Sequence, residues 1–152
     1  MVKSISILGS TGSIGTQTID VARKLNIKVV ALSANTNIKL LEDQIREFKP
    51  KLVCVYDEQS AYKLKQNIKD LDTDVVTGMD GLCEVAKIEQ ADLVLNSLVG
   101  MIGLLPTLEA INSKKNVALA NKETLVTGGE LVMKKAKENN VKIIPVDSEH
   151  SA

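Results

Sequence analysis

The chain has 152 residues, 19 of them basic and 19 acidic, so its formal net charge is zero with its one His neutral. That is about one domain's length. Charge balance, a pI near 6.6 and an aromatic set limited to Phe48, Tyr56 and Tyr62 argue against a basic nucleic-acid face and against a base-stacking platform. No apolar run approaches the roughly 20 residues that span a bilayer. The opening MVKSISILGS runs straight into a strand pattern without a small-residue cleavage site, so no signal peptide is expected. Cys54 and Cys83 form no CxxC and sit in apolar contexts. They read as buried small hydrophobes in a reducing, cytoplasmic protein.

Taken in chain order, strand and helix alternate. Residues 4–8 read as a buried strand and 14–25 as a helix, with Ile14, Thr18, Val21, Ala22 and Leu25 at helical spacing. A strand follows at 28–33. Residues 38–48 carry Ile38, Leu41, Ile45 and Phe48 on one helical face, with Asn37 as the expected N-cap and Pro50 as the stop. The expected pattern continues as strand 52–56, helix 58–69, strand 74–78, helix 80–88 and strand 92–98. Helix 104–113 tolerates Pro106 in its first turn. Strand 116–121, helix 125–139 and strand 141–146 complete it.

Most of these strands are unbroken runs of Val, Ile and Leu, the signature of strands buried on both faces. The fold class is therefore α/β: a doubly wound, mostly parallel, Rossmann-like sheet. Residues 1–146 form one domain. DSEHSA at 147–152 then follows the last strand without terminating a fold, and reads as the first residues of a further domain.

The strongest local signal is Gly9-Ser10-Thr11-Gly12-Ser13-Ile14-Gly15, between a strand and a helix. Glycines there permit a tight turn, a close approach of backbone to a pyrophosphate, and close packing of helix on strand. The helix N-terminus offers N–H groups and a positive dipole end, and Ser10, Thr11 and Ser13 add hydroxyls. The plain alternative is a tight turn with no ligand. An NAD site usually places an acid about 20 residues on, at the ribose. Here Ser33-Ala34-Asn35-Thr36-Asn37 holds none, with Lys39 close by, which favours NADP.

Polar clusters stand at three more strand ends: Asn96-Ser97-Leu98-Val99-Gly100 with Gly103 nearby, Asn121-Lys122-Glu123, and Asp147-Ser148-Glu149-His150. Lys122 reads either as a contact to an anionic ligand or as a loop lysine. If the last strand continues, Asp147 and Glu149 point to one side and suit a hard divalent cation. Otherwise Asp147 caps a helix and Glu149 is solvated. His150 shows no partner.

LGSTGSIGTQT, GLLPTLEAI, LANKETLV and PVDSEH, in this order and spacing, resemble the 1-deoxy-D-xylulose 5-phosphate reductoisomerase family. The resemblance runs from about residue 5 to the end and corresponds to the family's N-terminal NADPH-binding domain. It implies an NADPH-dependent isomerisation and reduction of 1-deoxy-D-xylulose 5-phosphate to 2-C-methyl-D-erythritol 4-phosphate, in non-mevalonate isoprenoid biosynthesis. A divalent ion (Mg²⁺, Mn²⁺ or Co²⁺) serves as Lewis acid in the intact enzyme. By the same resemblance Thr11, Gly12, Ser13 and Ile14, within the loop Gly9–Gly15, cradle the cofactor phosphates. Ala34, Asn35, Thr36 and Asn37 lie near the ribose phosphate. Asn121 and Glu123 are further cofactor contacts, and Lys122 sits by nicotinamide and substrate. Asp147 and Glu149 correspond to two of three metal carboxylates, and Ser148 to a substrate contact. Thr36 stands where many members carry a basic residue. The implied partner is a phosphorylated sugar, with no nucleic acid and no membrane, and the intact enzyme is expected to be a homodimer. The alternatives are a stand-alone NADP-binding regulatory module, or another Rossmann oxidoreductase such as a semialdehyde or homoserine dehydrogenase.

Overall fold

The fold is taken from a computed structural model of the chain and is described for residues 1–120 and 122–146. The order of elements is β1 (Ser4–Leu8), α1 (Ser13–Leu25), β2 (Lys28–Ala34), α2 (Ile38–Phe48), β3 (Leu52–Val55), α3 (Glu58–Asn67), β4 (Asp74–Thr77), α4 (Gly78–Ala86), β5 (Leu93–Asn96), α5 (Leu104–Asn112), β6 (Asn116–Leu119), α6 (Lys122–Glu138) and β7 (Ile143–Pro145). The seven strands form one sheet in the order β4-β3-β2-β1-β5-β6-β7, and every pairing is parallel.

This order has one reversal. From β1 the chain steps outward through β2, β3 and β4. It then crosses back to lay β5 on the other side of β1, and steps outward again through β6 and β7. A crevice must open at the carboxyl ends of β1 and β5, where connections leave in opposite directions, and ligands of open α/β sheets bind there.

Strand side chains alternate between two cores. Ile5, Ile7, Val53, Val55 and Leu95 pack with α1, α2 and α3 through Ile19, Leu41, Ile45 and Leu64. Leu8, Cys54, Val94, Val117 and Leu119 pack on the opposite side with α4, α5 and α6 through Leu82, Val85, Ile111 and Val132. Both faces of the central strands are dry, which is why the strands lack polar alternation. The one hydroxyl in the middle of β1, that of Ser6, is fully buried and donates to the Val85 carbonyl (2.7 Å) near the end of α4. No helix among the described residues is long and apolar enough to cross a membrane.

The expected elements are all present, and the differences lie at their ends. Asn37 caps α2 as expected, its side chain accepting from the Leu40 N–H. The strand expected over 92–98 stops at Asn96, because Ser97 turns its hydroxyl back onto the Leu8 and Gly9 carbonyls. A single 3-10 turn, Gly100–Gly103, precedes α5, where the sequence pattern indicates no element. Helix α6 begins at Lys122 rather than 125, and its regular geometry breaks at Gly128 (φ −126°, ψ 15°). A Cβ on Gly128 would lie 2.6 Å from a methyl of Leu104, so α5 and α6 meet where a side chain is missing.

The two cysteines behave as small hydrophobes. Both are buried and unpaired. Cys54 is fully enclosed, and burial pushes its thiol up to about 12; burial also raises that of Cys83. The thiolate is the reactive form. Neither cysteine is therefore expected to react with iodoacetamide at pH 8 in the native chain, and both are expected to react in denaturant. Mass spectrometry after timed quenching checks this.

Candidate functional site

The glycine loop lies at the reversal, between the end of β1 and the start of α1. Gly9 has φ +82°, a conformation L side chains rarely adopt, and a Cβ there would meet the Ser97 hydroxyl at 2.8 Å. Gly15 matters for a different reason. A Cβ on it would fall 2.1 Å from the Gly9 carbonyl oxygen and 2.6 Å from the Ser10 Cα. The first turn of α1 thus rests directly on the backbone of the loop.

Helices α2 and α3 are capped by Asn37 and Asp57 side chains, but α1, whose N-cap is Gly12, has no side-chain cap, as α4 and α5 have none, and no acid in its first turn. The leading N–H groups of a helix lack intrahelical partners. At α1 they are left to whatever occupies the crevice, and the helix dipole favours an anion there.

The crevice has two lobes. The first, about 480 Å³, runs from Gly9, Thr11 and Gly12 past the end of β2 at Ala34 and Asn35, with an apolar wall of Tyr56, Leu82 and Ile102. The second, about 540 Å³, runs from Gly12, Ser13 and Ile14 to Ala120, Lys122 and Glu123. Gly12 and the segment Ser97-Leu98-Val99 line both, so the lobes adjoin across the head of α1. Each falls within the roughly 300–1,000 Å³ of small-molecule sites. A third groove of about 320 Å³, between α1 and β5, is lined by residues such as Ile5, Val21 and Leu95 and has no charged group for a phosphate.

Among the described residues no carboxylate lines the first lobe. Asp57, beside Tyr56, has its carboxylate occupied: it accepts from the Ser60 hydroxyl (2.7 Å) and the Ser60 amide (3.0 Å), which hold it below the usual carboxylate range. Lys122, exposed at the start of α6, brings a cation to the second lobe. The Glu123 carboxylate lies close to Gly100.

The floor between the lobes is held from below by Asn96. This fully buried amide donates to the Gly103 carbonyl (3.0 Å) and the Thr107 hydroxyl (2.7 Å), and accepts from the Leu98 N–H (3.1 Å). Its partners are all protein groups of the 97–107 segment.

The structure brings most of the expected site residues together. Gly9, Thr11, Gly12, Ser13, Ile14, Ala34, Asn35, Lys122 and Glu123 all line the crevice. Gly15 supports the loop from beneath. Ser10 departs from expectation. It is fully buried, and its hydroxyl donates to Gln44 Oε1 (2.7 Å) inside the protein rather than into the crevice. The side chain is drawn inward because Gln44 would otherwise be buried unsatisfied. Thr36 and Asn37 lie beyond the first lobe's lining, and Asn37 serves α2 as its cap. Asn121, Asp147, Ser148 and Glu149 lie outside the described residues. Among the described residues no group of three or more His, Cys, Asp or Glu side chains is placed to hold a metal. Tyr56, Leu82 and Ile102 escaped the sequence reading. Tyr56 could have been found as the last residue of the strand expected over 52–56; Leu82 and Ile102 look like ordinary core positions.

Comparison with known proteins gives this geometry a family. Residues 5–129 match the sequence model of 1-deoxy-D-xylulose 5-phosphate reductoisomerase. A protein of that name from Lachnoclostridium phytofermentans is 58% identical over 152 residues, covering 99% of this chain and 39% of the relative. The crystal structure of 1-deoxy-D-xylulose 5-phosphate reductoisomerase from Zymomonas mobilis in complex with NADPH superimposes with a TM-score of 0.91 at 38% identity, covering 100% of this chain and 40% of that one. A reductoisomerase in complex with NADPH, fosmidomycin and magnesium superimposes with the same TM-score, 0.91, at 39% identity, over 99% of this chain and 38% of that one. The chain thus spans about 40% of the length of the relatives it matches. The match takes in the glycine loop, both lobes of the crevice and the head of α6, and the chain belongs to the 1-deoxy-D-xylulose 5-phosphate reductoisomerase family.

Proposed function

We propose that this chain is the NADPH-binding part of an enzyme that converts 1-deoxy-D-xylulose 5-phosphate to 2-C-methyl-D-erythritol 4-phosphate. The observation that carries this is the pair of adjoining lobes across the uncapped head of α1, with no carboxylate of the described residues in the first lobe. A dinucleotide has that shape: two nucleoside halves joined by a pyrophosphate. Family membership and a relative solved with NADPH support the same cofactor.

The pyrophosphate is placed over Gly12. Backbone N–H groups of the loop and of the first turn of α1 bind it, aided by the Thr11 and Ser13 hydroxyls. The adenosine half takes the first lobe, against Tyr56, Leu82 and Ile102. There Ala34 and Asn35, with Thr36 and Asn37 beyond, present a neutral surface that tolerates a 2′-phosphate where an acid would repel it. The nicotinamide half takes the second lobe, beside Glu123 and Lys122. Lys122 orients an anionic substrate there through its charge, and Asn121 adds a cofactor contact. NADPH supplies the hydride that reduces the aldehyde formed when the substrate's carbon skeleton rearranges. We assign Asp147 and Glu149 to a divalent metal in the intact enzyme and Ser148 to the substrate; a relative solved with magnesium supports a metal requirement. The remaining metal ligand, the substrate's phosphate site and the contacts of a homodimer belong to the part of the enzyme outside this chain. The reaction is assigned to the cytoplasm. The family match does not favour a semialdehyde-type dehydrogenase or a free-standing regulatory module.

Three outcomes test this reading. In a fluorescence titration NADPH binds the chain at least about tenfold more tightly than NADH, a difference of ~1.4 kcal/mol. Equal affinity, or a preference for NADH, would overturn the cofactor assignment. Gly15→Ala forces α1 away from the loop and is expected to cost about 1–3 kcal/mol of stability, read by thermal denaturation, and to weaken NADPH binding in the same titration. Finally, the 152-residue chain alone does not oxidise NADPH in the presence of 1-deoxy-D-xylulose 5-phosphate and magnesium, whereas the full-length enzyme does. Turnover by the chain alone would show that the chemistry needs nothing further.

A further inference from the structure

We infer that Gln44 is a positioning residue for cofactor binding: from the core of α2 it grips both polar ends of Ser10 and holds the glycine loop in its anion-binding conformation. The inference rests on the NADPH reading above.

Gln44 lies on the buried face of α2, between Leu41 and Ile45, and is only 4% exposed. An amide at such a position costs free energy unless its polar atoms are satisfied, and an apolar residue would fill the site without that cost. Its partners are not the sheet it covers. Its Oε1 accepts from the Ser10 hydroxyl (2.7 Å), and its Nε2 donates to the Ser10 carbonyl (2.9 Å). One side chain thus makes two hydrogen bonds to a single residue 34 positions away, in the loop expected to bind phosphate. The strand between them completes the grip. The Ser10 N–H donates to the Ser33 carbonyl (2.8 Å), and the Gly9 N–H donates to the Ser33 hydroxyl (2.9 Å).

The consequence follows from peptide geometry. The Ser10–Thr11 peptide is planar and trans, so its C=O and N–H point in opposite directions. With the Ser10 carbonyl held back on Gln44, the Thr11 N–H must point the other way, and Thr11 lines the crevice. If this peptide rotated, a carbonyl oxygen would face the phosphates in place of a donor. Such a rotation turns ψ of Ser10 and φ of Thr11 and would break the bond from Gln44 to the Ser10 carbonyl. Gln44 thus resists it from the core, before any ligand arrives, so the ordering cost is not charged to binding.

The test compares two ligands on the whole chain by isothermal titration: NADPH, which engages the loop through its pyrophosphate, and adenosine 2′-monophosphate, which has none. Gln44→Met keeps the side-chain length and removes both hydrogen bonds. It is expected to raise the NADPH Kd about tenfold and leave the adenosine 2′-monophosphate Kd within about twofold, well below the melting temperature. A purely structural role would move melting alone, or weaken both ligands together, and either result overturns the inference, as does an unchanged NADPH Kd. Ser10→Ala deletes one of the two bonds and spares the core. It is expected to show the same split in milder form, and an unchanged NADPH Kd in this variant counts equally against the inference should Gln44→Met fail to fold. The double variant is expected to bind NADPH no worse than Gln44→Met, because the Ser10 hydroxyl acts through Gln44. Additive losses would overturn this part of the inference and mean that the hydroxyl acts apart from Gln44, through its other acceptor, the Ser33 carbonyl (3.2 Å). If the unmodified chain, folded, binds no NADPH, the cofactor reading fails first and the inference falls with it.

Discussion

The seating of α1 on the glycine loop is the contact on which the rest of the site depends. Gly15 approaches the Gly9 carbonyl so closely that no Cβ can stand between them. That approach puts the head of α1 directly over the end of β1, the strand from which the sheet unfolds in both directions. A helix set further out would leave its N–H groups away from the crevice and would lose the dipole's effect within a turn. Seated as it is, the helix turns a reversal in strand order into a place for an anion.

The walls of the crevice then differ in chemistry because they come from different elements. The first lobe is closed by the ends of β2 and β3 and by α4, which bring Ala34, Tyr56 and Leu82. It is apolar where a base would lie and neutral where a ribose phosphate would lie. The carboxylate of Asp57, next to Tyr56 in the chain, is spent on capping α3. The second lobe is closed by the end of β6 and the head of α6, which bring a cation and a carboxylate. Buried amides hold both from behind, Gln44 under the loop and Asn96 under the floor. Neither amide has its side chain in the crevice, and both lie among apolar neighbours where an unsatisfied amide is expensive. They commit the loops to one arrangement, as buried polar groups do when every partner is present.

Several residues show how far the linear pattern reaches. Most of the strands were legible because short apolar runs between polar breaks report burial on two faces. The glycine loop was legible because three glycines between strand and helix have few other uses. The hydroxyl of Ser10 runs against the linear pattern, since a serine in such a loop is ordinarily a phosphate donor. Gln44, 34 residues away, and the Ser33 carbonyl draw that hydroxyl inward. Gln44 itself reads in the sequence as one more polar helix residue. The early end of β5 was equally hidden, because it depends on Ser97 bonding back to a strand 88 and 89 residues distant.

By itself, the sequence determined the elements and their alternation, the cradle for an anion, and the absence of an acid at the end of β2. These are properties of neighbours along the chain, set by side-chain period, glycine content and charge. The tertiary structure alone decided which loops share a crevice, which hydroxyl faces it, and which amides stand behind it. Those depend on the order of strands in the sheet and on hydrogen bonds between residues tens of positions apart. Local pattern carries no record of such partners, because a buried Gln or Asn looks the same in sequence whether it grips a loop or meets solvent.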